Sequence, residues 1–290
     1  MLSITACYAF VMIDATDLED LRNELMAFGK QRNMQGLVLI APEGINAMVA
    51  GSVDAIAEWK NLLCAKFGKI KFKDSQSDRG VFRRWSVKIK PEIVAIKDED
   101  IQPRGNHKHL SPQAWQDMLE REDVVLVDAR NAYEVAIGKF KNAVDPGINM
   151  FHEFPAFVKQ GTLPKDKKVL LYCTGGIRCE KAIIAMEKEG YDNVYQLEGG
   201  ILAYLEQFPD SHYEGECFVF DHRAAVDQHL RPSQIYALCP HCGDPGDLLI
   251  HCSCGKEQKI CASCSRESSR QTCSKRCRNE QRAMATVQSV

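Results

Sequence analysis

Cys173 is the residue of this chain best placed to react. It ends the apolar, β-forming run Val169–Tyr172 and opens the turn Thr174-Gly175-Gly176-Ile177-Arg178, after which residues Cys179 to Glu189 have helical character. A cysteine at the carboxyl end of a strand, entering a glycine-bearing loop that feeds a helix, sits among backbone N–H groups aimed at its sulfur. The helix N-terminus and Arg178 add positive potential, so the thiolate is favoured over the thiol. That suits a nucleophile, or a sulfur that carries a second sulfur. A small core residue ending a strand is the commoner fate of a free cysteine. Two glycines and an arginine closing over the sulfur argue against it here. Cys179 is either a resolving thiol for an oxidised or persulfidated Cys173 or the first residue of the helix. Six positions of separation predict that the loop must deform to bring the two sulfurs near.

A second chemistry sits at the C-terminal end. From Cys239 onward the chain carries eight of its thirteen cysteines. Cys239-x2-Cys242 and Cys261-x2-Cys264 are paired knuckles with zinc-ribbon spacing, and Cys252-x-Cys254 and Cys273-x3-Cys277 offer a second, interleaved site. His241 and His251 are alternative ligands. A segment with little apolar core gains its folding energy from such metal binding, so one or two structural zinc ions are expected. This part also carries eight basic residues, from Lys256 to Arg282, against Glu257, Glu267 and Glu280, a net of +5. A second nucleic-acid contact and a solvated surface fit that charge equally well.

A third feature is the stretch Lys69–Lys90. It holds Lys69, Lys71, Lys73, Arg79, Arg83, Arg84, Lys88 and Lys90 against Asp74 and Asp78, a net of +6 in a chain that nets −2 overall. Phe72, Phe82 and Trp85 are interleaved. Basic residues with aromatics can grip a phosphate backbone and stack an unpaired base. The alternative is an edge strand protected by charge, with its aromatics facing the core.

The elements that position these groups follow from periodicity. Residues 4–90 read as strand, helix, strand, strand, helix, strand, with Asp17 and Ser52 as helix caps and the last strand near Arg84–Lys90. That order is the ferredoxin-like arrangement. Pro91–Leu110 is a polar, punctuated linker that includes His107 and His109, which lack a carboxylate or cysteine to complete a metal site. From Ser111, a helix cap followed by Pro112, strands and helices alternate to about Tyr213, which implies a mainly parallel sheet. In such sheets reactive groups gather beyond the strand ends, where Asp128, Arg130 and Cys173 fall. Asp128 is expected to be a structural partner of Arg130 or of a loop amide. Asp221, His222 and Arg223 follow in an extended segment, as a packed connector or as walls of the active site. The expected fold class is α/β with α+β. Its parts are a domain over 1–96, a linker over 97–110, the alternating domain over 111–214 and a cysteine-rich extension over 215–290.

At 290 residues, 45% hydrophobic and 26% charged, the chain is a globular protein of two or three domains. The first apolar run is too short to span a bilayer and lacks the charged start of a signal peptide. No membrane partner and a cytoplasmic location are therefore expected, with cysteines kept as thiols or metal ligands. No flavin- or nicotinamide-binding glycine fingerprint and no two-histidine-one-carboxylate iron site is present.

The stretch from Cys173 to Arg178 resembles the six-residue active-site loop of rhodanese domains. Val124-Val125-Leu126-Val127-Asp128-Ala129-Arg130, Glu134, Gly138 and the run from Gly190 to Gly200 extend the likeness over about a hundred residues, with Lys139 where many members have histidine. Related phosphatases use one residue more, so the loop length implies sulfur-sized chemistry. The order of parts adds Pro42-Glu43-Gly44-Ile45-Asn46, the run from Arg84 to Val94, His109-Leu110-Ser111-Pro112, the loop extended to Lys181, and Gly215–Asp221. That series resembles the rhodanese-related tRNA uridine 5-hydroxylases of bacteria across nearly the whole chain. The resemblance implies oxygen-dependent hydroxylation of the wobble uridine, with Cys173, as thiolate or persulfide, and Arg178 as catalytic residues, and Thr174, Gly175, Gly176, Ile177 and Cys179 completing the loop. It implies that the N-terminal domain holds the anticodon arm of tRNA, through Lys71, Lys73, Arg79, Arg83, Arg84, Lys88 and Lys90. Sulfur transfer from a persulfide on Cys173 and a non-catalytic zinc-containing RNA-binding adaptor are the competing functions.

Overall fold

A computed structural model describes residues 1–103 and 107–287. Residues 104–106 of the expected linker and 288–290 of the expected extension lie outside the described residues. The chain divides into two compact units: residues 1–131 with 142–207, and residues 132–141 with 208–290. No helix among the described residues is long and apolar enough to cross a membrane.

The first unit begins with a five-stranded sheet. Its strands are β1 (Leu2–Phe10), β2 (Gln35–Ala41), β3 (Gly44–Gly51), β4 (Phe72–Ser77) and β5 (Trp85–Ile89), in the order β4-β1-β3-β2-β5. Helices α1 (Leu18–Gln31) and α2 (Val53–Phe67) bury Leu21, Leu25, Ile56, Trp59 and Leu63 against Cys7, Val38, Ile40 and Val49. Ser52 caps α2 by accepting a hydrogen bond from the Ala55 N–H at 3.2 Å, as its position predicts. The first four strands and two helices make the ferredoxin-like arrangement. The strand closing it is β4, however, not the one expected near Arg84–Lys90, which pairs in parallel with β2 at the opposite edge. Phe72–Ser77 reads F-K-D-S-Q-S and has no apolar alternation, so only its pairing with β1 makes it a strand. One consequence is that the basic stretch is split, with Lys71 and Lys73 by one edge and Lys88 and Lys90 by the other.

The same unit holds a four-stranded parallel sheet of order β6-β10-β9-β7. These strands are β6 (His109–Leu110), β7 (Val124–Asp128), β9 (Lys168–Tyr172) and β10 (Val194–Leu197). Helices α3 (Pro112–Arg121), α5 (Phe154–Lys159), α6 (Ile177–Lys188) and α7 (Gly200–Gln207) complete this part. β9 lies between two neighbours, and Val169–Tyr172 are buried on both faces, which accounts for the unbroken apolar run. α6 turns Cys179, Ala182, Ile183 and Met186 into a core shared with Phe154 and Val158. Asp128 and Arg130, both fully buried, form the expected structural pair. Arg130 Nε and Nη2 donate to the two carboxylate oxygens of Asp128 at 2.7–3.1 Å.

The second unit contains α4 (Ala132–Val135) and β8 (Gly138–Phe140), then β11 (Tyr213–Gly215), β12 (Cys217–Phe218), β13 (Ala225–Val226), β14 (Ala237–Leu238), β15 (Pro245–Gly246), β16 (Leu248–His251) and β17 (Glu257–Ile260), with α8 (Ala262–Ser265) and α9 (Lys275–Val287). β8 pairs antiparallel with β11, so residues 132–141 cluster with residues 208–290. A pairing across more than seventy positions has no local sequence signal. Asp221 and Arg223 bind each other at 2.5–3.0 Å, in the manner of a packed connector, while His222 is exposed.

Candidate active site and cysteine centres

Cys173 follows β9 and is fully buried. The Gly176 N–H donates to its sulfur at 3.0 Å. Gly176 precedes α6 in the left-handed region, with φ of 98°, a conformation that lets the loop turn back over the sulfur without a Cβ penalty. Burial pushes the Cys173 thiol up. The hydrogen bond from the Cys179 thiol, the Arg178 charge and the N–H groups of Arg178 and Gly175 together outweigh burial and bring it down to about 5. Cys179 goes the opposite way: burial, then its bond to Cys173, raise it well above the ordinary thiol. The pair is therefore one thiolate and one thiol donor at neutral pH. Arg178 is buried and its guanidinium reaches Thr174 Oγ1 at 3.4 Å.

The base of the loop is held by backbone. Ile201 and Leu202 N–H groups donate to the Cys173 and Thr174 carbonyls at 3.0 and 3.2 Å. A Cβ on Gly200 would lie 2.4 Å from the Cys173 oxygen, and its φ is +69°. Gly200→Ala is expected to destabilise the protein by about 2–3 kcal/mol through that clash and strain. Thermal melting checks it, and an unchanged midpoint would show that the loop is not held this way.

The N-terminal sheet contributes to this site. Tyr8 of β1 donates to Glu180 Oε1 at 3.1 Å, and Glu180 also binds Gln196 at 2.7 Å and His109 at 3.1 Å. Burial pushes the Glu180 carboxyl up, but bonds from His109, Gln196 and Tyr8 hold it below its ordinary range. Lys181 is 1% exposed between Glu43 at 2.8 Å and Glu92 at 2.5 Å. Lys71 pairs with Glu198, and the Lys73 ammonium lies 5.1 Å from the Tyr8 ring centroid. Sequence reasoning missed Tyr8, Glu180 and the roles of His109 and Lys181, because partners 71 to 172 positions apart carry no common pattern. Lys181→Met leaves two carboxylates without their cation. Its expected cost is about 3–5 kcal/mol, read from urea unfolding.

The eight C-terminal cysteines form two groups, Cys239, Cys242, Cys261 and Cys264, and Cys252, Cys254, Cys273 and Cys277. The sulfurs of each lie within 4.8 Å of one another. Four thiols converging in this way fit a tetrahedral zinc ion bound through Zn–S bonds of about 2.3 Å. The closed four-sulfur set leaves no open position, so the ion would fix the fold and take no part in the reaction. Neither expected histidine belongs to a group: His241 bonds the Thr272 carbonyl at 2.9 Å and His251 faces Glu257 at 3.3 Å.

Comparison with known proteins decides the family. Over 281 residues the chain is 43% identical to the tRNA uridine(34) hydroxylase of Bdellovibrio bacteriovorus, covering 94% of this chain and 80% of that protein. The proteins of the same name from Synechococcus elongatus and Deinococcus radiodurans are each 42% identical, over 84% of this chain and 93% and 81% of their own lengths. The chain belongs to the tRNA uridine(34) hydroxylase family. Family models match in the same order: a UPF0176 acylphosphatase-like domain over residues 2–93, a rhodanese-like domain over 111–207 and a rhodanese C-terminal domain over 214–278.

For this hydroxylase-family chain, the seven residues expected to hold RNA differ in setting: Lys71 is exposed and paired with Glu198, Lys73 is half-buried by the Cys173 loop, and Arg79, Arg83, Arg84, Lys88 and Lys90 are exposed. The interleaved aromatics pack inward. Trp85 stands edge-on to Trp59 at 5.6 Å, Phe72 lines the same core and Phe82 covers Ile4 and Ala50. In the cysteine-rich part, Lys259, Arg270 and Arg276 are bound to carbonyls, to Glu267 and to Glu280.

Proposed function

We propose that this protein hydroxylates uridine 34 of tRNA at C5, with molecular oxygen as co-substrate and Cys173 as the reacting group. The observation that carries the reading is the buried sulfur of Cys173, which accepts a hydrogen bond from the Gly176 N–H at 3.0 Å within its six-residue loop. Relatives that share 42–43% of the sequence over most of this chain are named for that reaction. The wobble base is unpaired in the anticodon loop and easily presented. Addition of the Cys173 sulfur, as thiolate or persulfide, to C6 makes C5 nucleophilic; C5 then takes one atom of O2, the other leaving as water with two electrons from an external reductant, and loss of the C5 proton expels the sulfur from C6 to restore the double bond. Arg178 steadies the sulfur's charge. Since that sulfur is fully buried, the base meets it only after part of its cover moves.

The exposed bases Arg79, Arg83, Arg84, Lys88 and Lys90 are the phosphate contacts in this reading, gripping the anticodon arm. The two cysteine groups hold structural zinc. The cytoplasm, where thiols stay reduced and tRNA is found, is the proposed location. Nucleoside mass spectrometry of tRNA from cells lacking the protein tests the activity. Loss of 5-hydroxyuridine derivatives, restored by the wild-type protein, is expected. Unchanged nucleosides would sink hydroxylation, and thiosulfate-dependent sulfur transfer from Cys173 would then be the reaction to assay.

A further inference from the structure

Lys73 does not sit where an RNA contact would. It pairs in register with Ala6 of β1, on the sheet face opposite the one where Cys7 and Phe72 enter the helix-packed core. From there its ammonium lies 3.8 Å from the place a Cβ on Gly175 would take, and its Cε 3.8 Å from the same point on Gly199. Tyr8, one strand position beyond Cys7, places its hydroxyl 3.0 Å from the corresponding point on Gly176 and bonds Glu180. Two side chains of the N-terminal sheet thus touch the glycines that wrap Cys173. Among the described residues no carboxylate or carbonyl bonds the Lys73 ammonium, which rests by the Tyr8 ring. A lysine charge set against a ring and glycine backbone is costly unless an anion faces it.

We propose that Lys73 is a positioning residue of the reaction: the N-terminal sheet supplies its ammonium as the counter-charge that keeps the sulfur of Cys173 ionised, as thiolate or as persulfide. This rests on the reading of Cys173 as the reacting group. Tyr8 carries the lysine at the loop, so the sulfur's charge depends on the N-terminal sheet being seated there. The titratable and charged groups facing Cys173 are Arg178 and Cys179 from its own loop and helix, and Tyr8 and Lys73 from the sheet. Glu180, Cys7 and Lys71 face Lys73 in turn. Burial lowers the lysine, and the charge on Cys173 opposes that shift.

The test is the pH dependence of Cys173 alkylation by iodoacetamide in the reduced, full-length protein, followed by mass spectrometry of the peptide Val169–Arg178. Lys73→Met should raise the alkylation midpoint by about one pH unit. Lys73→Arg should restore most of that shift. Affinity for an anticodon stem-loop RNA should stay within about twofold of wild type, since no phosphate contact is lost. Thermal melting confirms that each variant is folded. An unmoved midpoint with weakened RNA binding would make Lys73 a phosphate contact and overturn the proposal. An unmoved midpoint with unchanged binding would overturn it equally. Should Lys73→Met not fold, NMR of 13C-labelled lysines in Cys173→Ser gives the reciprocal reading. Removing the thiolate must lower the Lys73 titration by the same amount, and no change there refutes the pairing. Neither readout involves hydroxylation, so its failure and failure of the proposed activity are distinguishable.

Discussion

Cys173→Ser is expected to abolish hydroxylation of uridine 34, with a fall in rate of at least about a thousandfold. The physical reason is the state of the sulfur. A thiol brought down to about 5 is almost wholly thiolate at pH 7, whereas a serine hydroxyl in the same loop remains protonated. Serine also lacks the polarisable sulfur that can carry a second sulfur atom. The same depression fixes the pH profile of the wild type. Because the folded-state value lies below the ordinary 9.0 of the thiol, reactivity should rise as pH climbs through about 5 and then level off, with no further step near 9. Single-turnover assays with an anticodon stem-loop transcript measure the first effect. Site-specific alkylation measures the second. Residual turnover in Cys173→Ser above a few per cent of wild type would show that the cysteine is not the reacting group.

Loss of metal should cost the cysteine-rich part its fold. Its local core is small, built from Ile260, Cys239, Cys261 and Cys264 with Ile250 packed against it, and three of its four buried members are cysteines. Zinc bound by thiolates supplies about 10–16 kcal/mol per site in small domains of this kind, far more than that core can offer. Two zinc ions per chain are expected by mass spectrometric metal analysis. Cys264→Ser should remove one ion and Cys277→Ser the other, since the two groups share no sulfur. A strong chelator should melt β16 and β17, which lie between ligands, as read by hydrogen exchange. Protein purified without metal but with those strands protected would overturn the assignment.

How much of this was legible from the chain alone differs by feature, and the difference is physical. Cys173 and its loop are a local motif: strand, turn, glycines, arginine and helix lie within twenty consecutive residues. The sequence therefore placed Cys173 between its strand, turn and helix without knowing the rest of the fold. Cysteine spacing did the same for the two four-sulfur groups, because short knuckles bring their own ligands together. Asp128 and Arg130, two positions apart, were equally readable. Only tertiary structure decided what surrounds the sulfur. Tyr8 and Lys73 reach the loop because β4 pairs with β1, and F-K-D-S-Q-S does not announce itself as a strand. The same pairing split a basic stretch that is continuous in sequence and turned its aromatics into core. Residues 132–141 joined the later chain for the same reason, through the pairing of β8 with β11. Local chemistry is written in neighbours along the chain. The setting of Cys173 was fixed by contacts between residues a hundred or more positions apart, whose geometry exists only once the strands have paired.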